Sequence, residues 1–193
     1  RGEFAESAAP PMDEQQPVAS PPDMLAVAVE STPWRMEGYI ATLRLLPKQF
    51  TCRYDVTVRD VSNTASIAAL SMQMSNLAAG KVLSDSRRLS QTVTIPAELE
   101  VTDSTTLRGT LLSFGPAMGA EKIALGVNIW LKDGQKRSYS FDVSSQVLPR
   151  EDALNLNVEV GGIDLPEVTD SGSVGNIQVG VDNWEFIDIE LTN

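Results

Sequence analysis

The feature that most limits the fold is a regular two-residue alternation of apolar and polar side chains. It is clearest over residues 50–58, where every even position is apolar or aromatic and every odd position is polar or charged. Successive side chains of a β-strand point to opposite faces, so this segment is predicted to be a strand with one face packed and the other toward water. No long stretch carries the 3.6-residue period of an amphipathic helix. The sequence therefore predicts an all-β fold.

Similar short segments follow along the chain, separated by turn-forming residues such as Gly161-Gly162. The predicted strands are 24–29, 39–46, 50–58, 68–74, 92–95, 106–114, 123–131, 138–143, 154–160 and a long stretch over 177–191. Many short strands at this spacing are typical of two sheets packed face to face. We expect one β-sandwich domain over residues 24–193.

The turn at Asp133-Gly134 allows the register of one hairpin to be predicted. A two-residue turn would place Ile129 opposite Ser138 and mix apolar with polar side chains on each face. A three-residue loop with Gly134 in the left-handed region keeps the apolar side chains on one face. The predicted pairs are Ile129 with Arg137, Val127 with Tyr139, Leu125 with Phe141 and Ile123 with Val143.

Residues 1–23 differ in composition from the rest of the chain. They hold five of the eleven prolines together with several acidic residues. Such a segment cannot bury enough apolar area to offset the entropy lost on ordering. We expect it to be a linker or the remnant of a preceding β-domain. Because the chain does not begin with Met, we also expect it to be a piece of a longer protein.

Charge and residue content exclude several classes of function. The formal net charge is −11, which repels the phosphate backbone of nucleic acids, so we expect no nucleic-acid partner. The chain has no histidine, which excludes His-based catalysis and His-ligated metals. The single cysteine, Cys52, lies on the apolar phase of its strand and is predicted to be a buried, unreactive thiol. We expect no enzyme activity, no metal and no cofactor.

Carboxylates are the remaining candidates for acid–base or metal chemistry. Four of them crowd the end of the chain: Asp182, Glu185, Asp188 and Glu190. Asp188 and Glu190 occupy the polar positions of a predicted alternating strand, so they are expected to face water rather than form a catalytic pair. A calcium site formed by Asp164, Glu167 and Asp170 lacks the ligand spacing of a known calcium loop.

Three tryptophans offer a different kind of site, because indole faces can stack on sugar rings. Trp130 lies on the solvent phase of its strand, and Trp34 lies outside the clearly alternating segments. Trp130 and Trp34 are therefore candidates for glycan binding. Outward-facing aromatic residues often only cover a sheet or a domain interface, and this alternative stays open.

The end of the chain is predicted to pair with another strand. Two apolar series alternate there, with Trp184 and Phe186 on the opposite phase and a break predicted near 182–185. The candidates for strand exchange are Ile177, Val179, Val181, Ile187, Ile189 and Leu191. An ordinary edge strand that completes its own sandwich is the alternative.

Several segments in a fixed order resemble a known family. Residues 51–58, 71–80 and 107–115 are followed by Leu131-Lys132-Asp133-Gly134, by Tyr139-Ser140-Phe141-Asp142-Val143, by 158–166 and by Trp184-Glu185. Together they resemble Bacteroidetes fimbrillin-like surface lipoproteins, which include pilus subunits and anchor or tip proteins. In that family an N-terminal β-domain and a C-terminal transthyretin-like sandwich follow a lipoprotein signal.

The resemblance implies a fold, a role and a location. The domain over 24–193 would be a transthyretin-like or Ig-like antiparallel β-sandwich, preceded by a Pro-rich, acidic segment. Its role would be adhesion or pilus assembly by β-strand pairing, with other fimbrial subunits or surface proteins as partners. Its location would be the outer surface of the outer membrane, reached through a lipid anchor that this chain does not carry. Binding of host or bacterial glycans is the alternative function.

Overall fold

The computed structural model describes residues 16–28 and 45–168. Within them the chain forms two four-stranded sheets and one two-stranded ribbon. The strands are β1 (Ala26–Val27), β2 (Lys48–Gln49), β3 (Cys52–Val61), β4 (Ile67–Ala78), β5 (Thr92–Ala97), β6 (Glu100–Asp103), β7 (Thr106–Ser113), β8 (Ala124–Leu131), β9 (Lys136–Asp142) and β10 (Asn155–Ile163). The sheets have the orders β10-β3-β7-β6 and β5-β4-β8-β9, and β1 pairs with β2. The predicted all-β sandwich is confirmed.

One strand pair departs from the antiparallel arrangement that the sequence predicts. Strand β10 runs parallel to β3, with Asn155 opposite Arg53 and Ile163 opposite Val61. The chain leaves β9 in the other sheet, passes through the single-turn helix α1 (Ser144–Val147) and a 3-10 turn (Leu148–Arg150), and then enters β10. This crossing between sheets brings β10 beside β3 in the same direction, which a tight hairpin cannot do.

The core lies between the two sheets and is built from alternate residues of each strand. Tyr54, Val56 and Val58 of β3 are fully buried, as the alternation predicts. Thr51 was expected to face water and is instead buried, because the segment before β1 covers it. The Leu25 N–H donates to Thr51 Oγ1 at 3.2 Å.

The β8–β9 hairpin has the predicted register. Ile129 lies opposite Arg137, and Leu131 N donates to the Gln135 carbonyl at 2.9 Å, which leaves residues 132–134 as the loop. Gly134 has a φ of 85°, the left-handed conformation that this loop requires. The three-residue loop therefore sets the pairing of the two strands.

The remaining differences from the predicted strands have local causes. Strand β6 was not predicted, because all four of its residues are exposed and show no alternation. Gly161 and Gly162 were expected to form a turn and instead lie within β10. Gly109 in β7 lies directly under the corner between β5 and β6, where a Cβ atom would be 2.4 Å from the Glu98 carbonyl oxygen. The predicted strand over 177–191 and most of that over 39–46 lie outside the described residues.

Candidate functional site

The backbone groups at the outer edges of the two sheets are the first candidate for a functional site. The edge strands are β10 and β6 in one sheet and β5 and β9 in the other. An edge strand presents unpaired N–H and C=O groups, which can pair with an added strand. The four edges differ in what the chain itself places on them.

The β5 edge carries an extended segment of the same chain. Val18 forms a parallel bridge with Thr94. The Thr94 N–H donates to the Pro17 carbonyl at 3.0 Å, and the Ala19 N–H donates to the Thr94 carbonyl at 2.9 Å. Val18 stays 54% exposed, whereas Ala19 is half-buried and packs against the core, so this short strand extends the edge and covers part of the core. The segment falls within residues 1–23, and the domain boundary placed after residue 23 stays a prediction.

A bulge in β4 holds the beginning of this segment. The β4–β5 register shifts between Met74 and Leu77, and Asn76 adopts a left-handed φ of 63°. The Asn76 N–H donates to Gln16 Oε1 at 3.2 Å, and the Gln16 amide nitrogen donates back to Asn76 Oδ1. Sequence reasoning missed this contact. Asn76, a polar residue that tolerates the left-handed region inside an apolar strand, was the only signal.

A side chain occupies one position on the β10 edge. The Glu159 N–H donates to Gln146 Oε1 at 2.9 Å, and Gln146 Nε2 donates to the Glu159 carbonyl at 2.7 Å. The amide of Gln146 thus satisfies one residue of β10 as a neighbouring strand would. Because both backbone groups of Glu159 are occupied, a further strand could not pair at this position without displacing Gln146.

The other two edges are protected by charge. All residues of β6 are exposed, and two of them, Glu100 and Asp103, are acidic. Strand β9 begins with the basic residues Lys136 and Arg137. Charged side chains on an edge oppose pairing with another chain. Among the described residues, β5 is the one edge strand that carries an added strand, the segment around Val18.

Of the predicted glycan-binding and strand-exchange residues, Trp130 lies within the described part of the chain. Trp130 is half-buried in β8, and Lys136 Nζ lies 5.1 Å from the centre of its ring. One face of this indole is therefore in contact with a cation. Trp34 and the six strand-exchange candidates (Ile177, Val179, Val181, Ile187, Ile189 and Leu191) lie outside the described residues, and their roles stay predictions.

The described residues hold little that could carry catalysis or bind a metal. Within 16–28 and 45–168, no group of three or more His, Cys, Asp or Glu side chains converges on a common centre. Asp164, one of the calcium candidates, accepts a hydrogen bond from Ser62 Oγ at 2.5 Å. Asp170 and the four carboxylates of the C-terminal cluster lie outside the described residues. No helix in the described ranges is long and apolar enough to span a membrane.

Cys52 has the properties of a packed core residue. Its side chain is buried, and this burial raises the pKa of the thiol above its ordinary value, although Lys81 and Arg88 act in the opposite direction. A raised pKa keeps the sulfur in its unreactive thiol form at neutral pH. The predicted burial of Cys52 is confirmed.

Comparison with known proteins identifies the fold. No protein-family model matches the chain, and no curated protein matches it. Among solved structures, a candidate adhesin from Bacteroides ovatus is similar, with a TM-score of 0.60 and 12% identity over 79% of this chain. This chain spans 61% of the length of that protein. At this identity the likeness is one of fold.

Two further solved structures show weaker similarity. The fimbrial anchor protein Mfa2 from Porphyromonas gingivalis has a TM-score of 0.41 and 13% identity, covering 61% of this chain and 42% of its own. A candidate cell adhesion protein from Bacteroides fragilis has a TM-score of 0.39 and 10% identity, covering 66% of this chain and 45% of its own.

Proposed function

We propose that this chain is part of a non-enzymatic, fimbrillin-like cell-surface protein that serves in adhesion or in a pilus, as a subunit or as an anchor or tip component. The fold shared with the Bacteroides ovatus candidate adhesin supports a surface role. The observation that carries the proposal is the β5 edge, which accepts an extended segment in parallel through backbone hydrogen bonds. In this mode of recognition the backbone supplies affinity and alternate side chains supply specificity.

The segment on the β5 edge is held weakly enough to be exchanged. Two backbone hydrogen bonds at Thr94 join it to the strand, Gln16 adds contacts with Asn76, and the small side chain of Ala19 packs against the core. At about 0.5–1.5 kcal/mol each, these bonds are worth a few kcal/mol, less than the total stability of a typical domain. Local release of residues 16–19 can therefore occur without unfolding the sandwich.

The proposed donor is the stretch over 177–191, with its alternating apolar residues. In a fibre it would pair with an edge of a neighbouring subunit, while in an isolated molecule it would complete its own sandwich. The proposed partners are other fimbrial subunits or surface proteins. The proposed location is the outer surface of the outer membrane, reached through a lipid anchor of the intact protein.

The donor is tested by deleting residues 177–193 from the intact gene and imaging the cells by electron microscopy. Loss of fibres, with a folded sandwich by circular dichroism, is the expected result. Val179→Asp should have the same effect because it places a charge on the apolar phase. Gln178→Asp, on the polar phase, is the matched control and should leave assembly intact. Fibres that persist in the deletion strain would show that this segment is not the joining strand.

The acceptor edge is tested separately with Ala19→Pro. Proline removes the N–H that Ala19 donates to the Thr94 carbonyl, so residues 16–19 should detach more often. We expect faster hydrogen exchange at the Thr94 amide and faster assembly of purified subunits. If exchange at Thr94 increases and assembly does not change, β5 is not the acceptor.

Glycan binding through Trp130 and Trp34 is the alternative function, and the partial exposure of the Trp130 ring favours it. A screen against host, plant and bacterial glycans separates the two functions. Binding that is abolished by Trp130→Ala and retained by Trp130→Phe would support a stacking site. Lys136, which already contacts the ring, limits this site to one free face.

A further inference from the structure

A cavity of about 250 Å³ opens beside Cys52, at the start of β3. Basic residues meet there although the chain as a whole has a net charge of −11. Two of them, Lys81 and Arg88, line the cavity together with the carboxylates of Glu151 and Asp152. Neither strand pairing nor the tryptophan site involves this cavity.

The hairpin after β4 holds two like charges directly opposite each other. Lys81 and Arg88 form an antiparallel bridge, and the Leu89 N–H donates to the Gly80 carbonyl at 2.9 Å. Like charges that face each other across a strand pair repel and destabilise the pairing. Arg88 is already paired with Glu151 at 3.0 Å and lies 3.9 Å from Asp152, so Lys81 is the cation of the two whose charge a bound anion would compensate.

Lys81 has no acidic partner among the described residues. Its Nζ donates to the Phe50 carbonyl at 3.2 Å and lies 4.7 Å from the centre of the Phe50 ring. Both contacts orient the ammonium group, and neither neutralises its charge. The cavity therefore contains a positioned cation whose charge no described carboxylate compensates.

The Arg88 guanidinium is held in place by its surroundings. Its side chain is only 16% exposed, with Nη1 donating to the Glu151 carbonyl at 2.9 Å and Nη2 lying 3.0 Å from Glu151 Oε2. It passes over Gly115, whose φ is 94° and where a Cβ atom would lie 3.2 Å from Arg88 Cδ and 3.3 Å from Cys52 Sγ. A guanidinium has five N–H donors, and these partners accept from only part of them.

The rest of the lining identifies the kind of anion. Glu151 and Asp152 at the rim can accept hydrogen bonds from hydroxyl groups, and they repel a ligand with two negative charges. Phe114 and Leu154 form the apolar part of the cavity wall. A small ligand with one carboxylate, several hydroxyls and an apolar ring face satisfies all of these groups.

We propose that this cavity binds a single sugar acid, a hexuronic acid residue of an acidic glycan. Its carboxylate lies between Lys81 and Arg88, and its hydroxyls donate to Glu151 and Asp152. Charge-assisted hydrogen bonds to a planar carboxylate provide most of the selectivity. This inference stands apart from how subunits are joined and adds a ligand class to the chain.

Glucuronate and glucose are matched probes, because they differ only in a carboxylate in place of a CH₂OH group. Isothermal titration calorimetry at low ionic strength should show binding of glucuronate and none of glucose at the same concentration. Lys81→Gln should weaken glucuronate binding about tenfold, or about 1.4 kcal/mol. Lys122→Gln removes the same charge from an exposed site elsewhere and should leave binding unchanged.

The backbone amide signals of the residues that line the cavity report where the ligand sits. In heteronuclear NMR spectra, saturating glucuronate should shift the amide signals of Lys81, Arg88 and Glu151, whereas glucose should not. No binding of glucuronate, equal affinity for both sugars, equal weakening by Lys81→Gln and Lys122→Gln, or binding without shifts at the cavity residues would each overturn the proposal. The comparison of the two sugars on the unmodified chain remains decisive even if a variant does not fold.

Discussion

Replacement of Gly109 by alanine should destabilise the sandwich, although alanine is normally preferred to glycine within a strand by about 0.5–1 kcal/mol. A Cβ atom at this position would lie 2.4 Å from the Glu98 carbonyl oxygen and 2.7 Å from Met72 Cε. The methionine can move, but the carbonyl belongs to the corner that joins β5 to β6. Overpacking of this kind costs about 1–3 kcal/mol, and the backbone contact places this case in the upper part of that range.

We therefore expect Gly109→Ala to lower the free energy of unfolding by about 2 kcal/mol, which is a steric cost in the upper part of that range less the gain of about 0.5–1 kcal/mol that alanine brings to a strand. In urea denaturation the midpoint should fall with little change in slope, and the melting temperature should fall by roughly 4–8 °C. Gly80→Ala is the matched control, because its nearest neighbour is the mobile end of the Leu89 side chain at 3.1 Å. If the two variants are equally stable, the corner over β7 can move to accommodate the added methyl group, and the Glu98 carbonyl does not exclude a Cβ atom at position 109.

Three further predictions concern single groups. The buried Tyr54 hydroxyl lies near Ser113 but makes no hydrogen bond of normal geometry with a described residue. Tyr54→Phe should therefore raise the free energy of unfolding by about 1 kcal/mol; a loss of stability in urea denaturation would show that the contact with Ser113 is a stabilising hydrogen bond. Asp142 accepts hydrogen bonds from Ser144, which lower its pKa. The pKa of Asp142 is therefore lower in the folded state than in the unfolded state. The stability that Asp142 adds is fully present above the unfolded-state pKa and is lost as the pH falls through the folded-state pKa. The stability gap between wild type and Asp142→Ala should narrow in acid, and a gap independent of pH would refute the assignment. Gln146→Ala should open the β10 edge and increase self-association in analytical ultracentrifugation, whereas a variant that stays monomeric would show that Gln146 does not protect this edge.

Local sequence patterns predicted much of the fold. The alternation over β3 and the loop at Gly134 each depend on residues close together in the chain, and both were confirmed. The parallel pairing of β10 with β3 was not predicted, because the choice of neighbour depends on residues about a hundred positions apart. Strand β6 was missed because an exposed edge strand has no buried face to reveal it.

The candidate sites were less visible in the sequence than the strands. The contact between Gln16 and Asn76 spans 60 residues, and neither residue type indicates it alone. Similarly, Lys81, Arg88 and Glu151 come together only when the hairpin after β4 packs near the start of β10. The sequence identified Cys52 as a buried residue and gave no sign of the cavity beside it.

The position of β3 between β7 and β10 has a consequence for biogenesis. After β7 has been synthesised, about 50 residues must still be made before β10 is complete. At a synthesis rate of roughly 5–20 residues per second, the edge of β3 that later pairs with β10 stays unpaired for several seconds. A chain released or exported in that interval exposes an apolar strand to aggregation, so we expect its yield in cells to depend on chaperones that bind nascent chains.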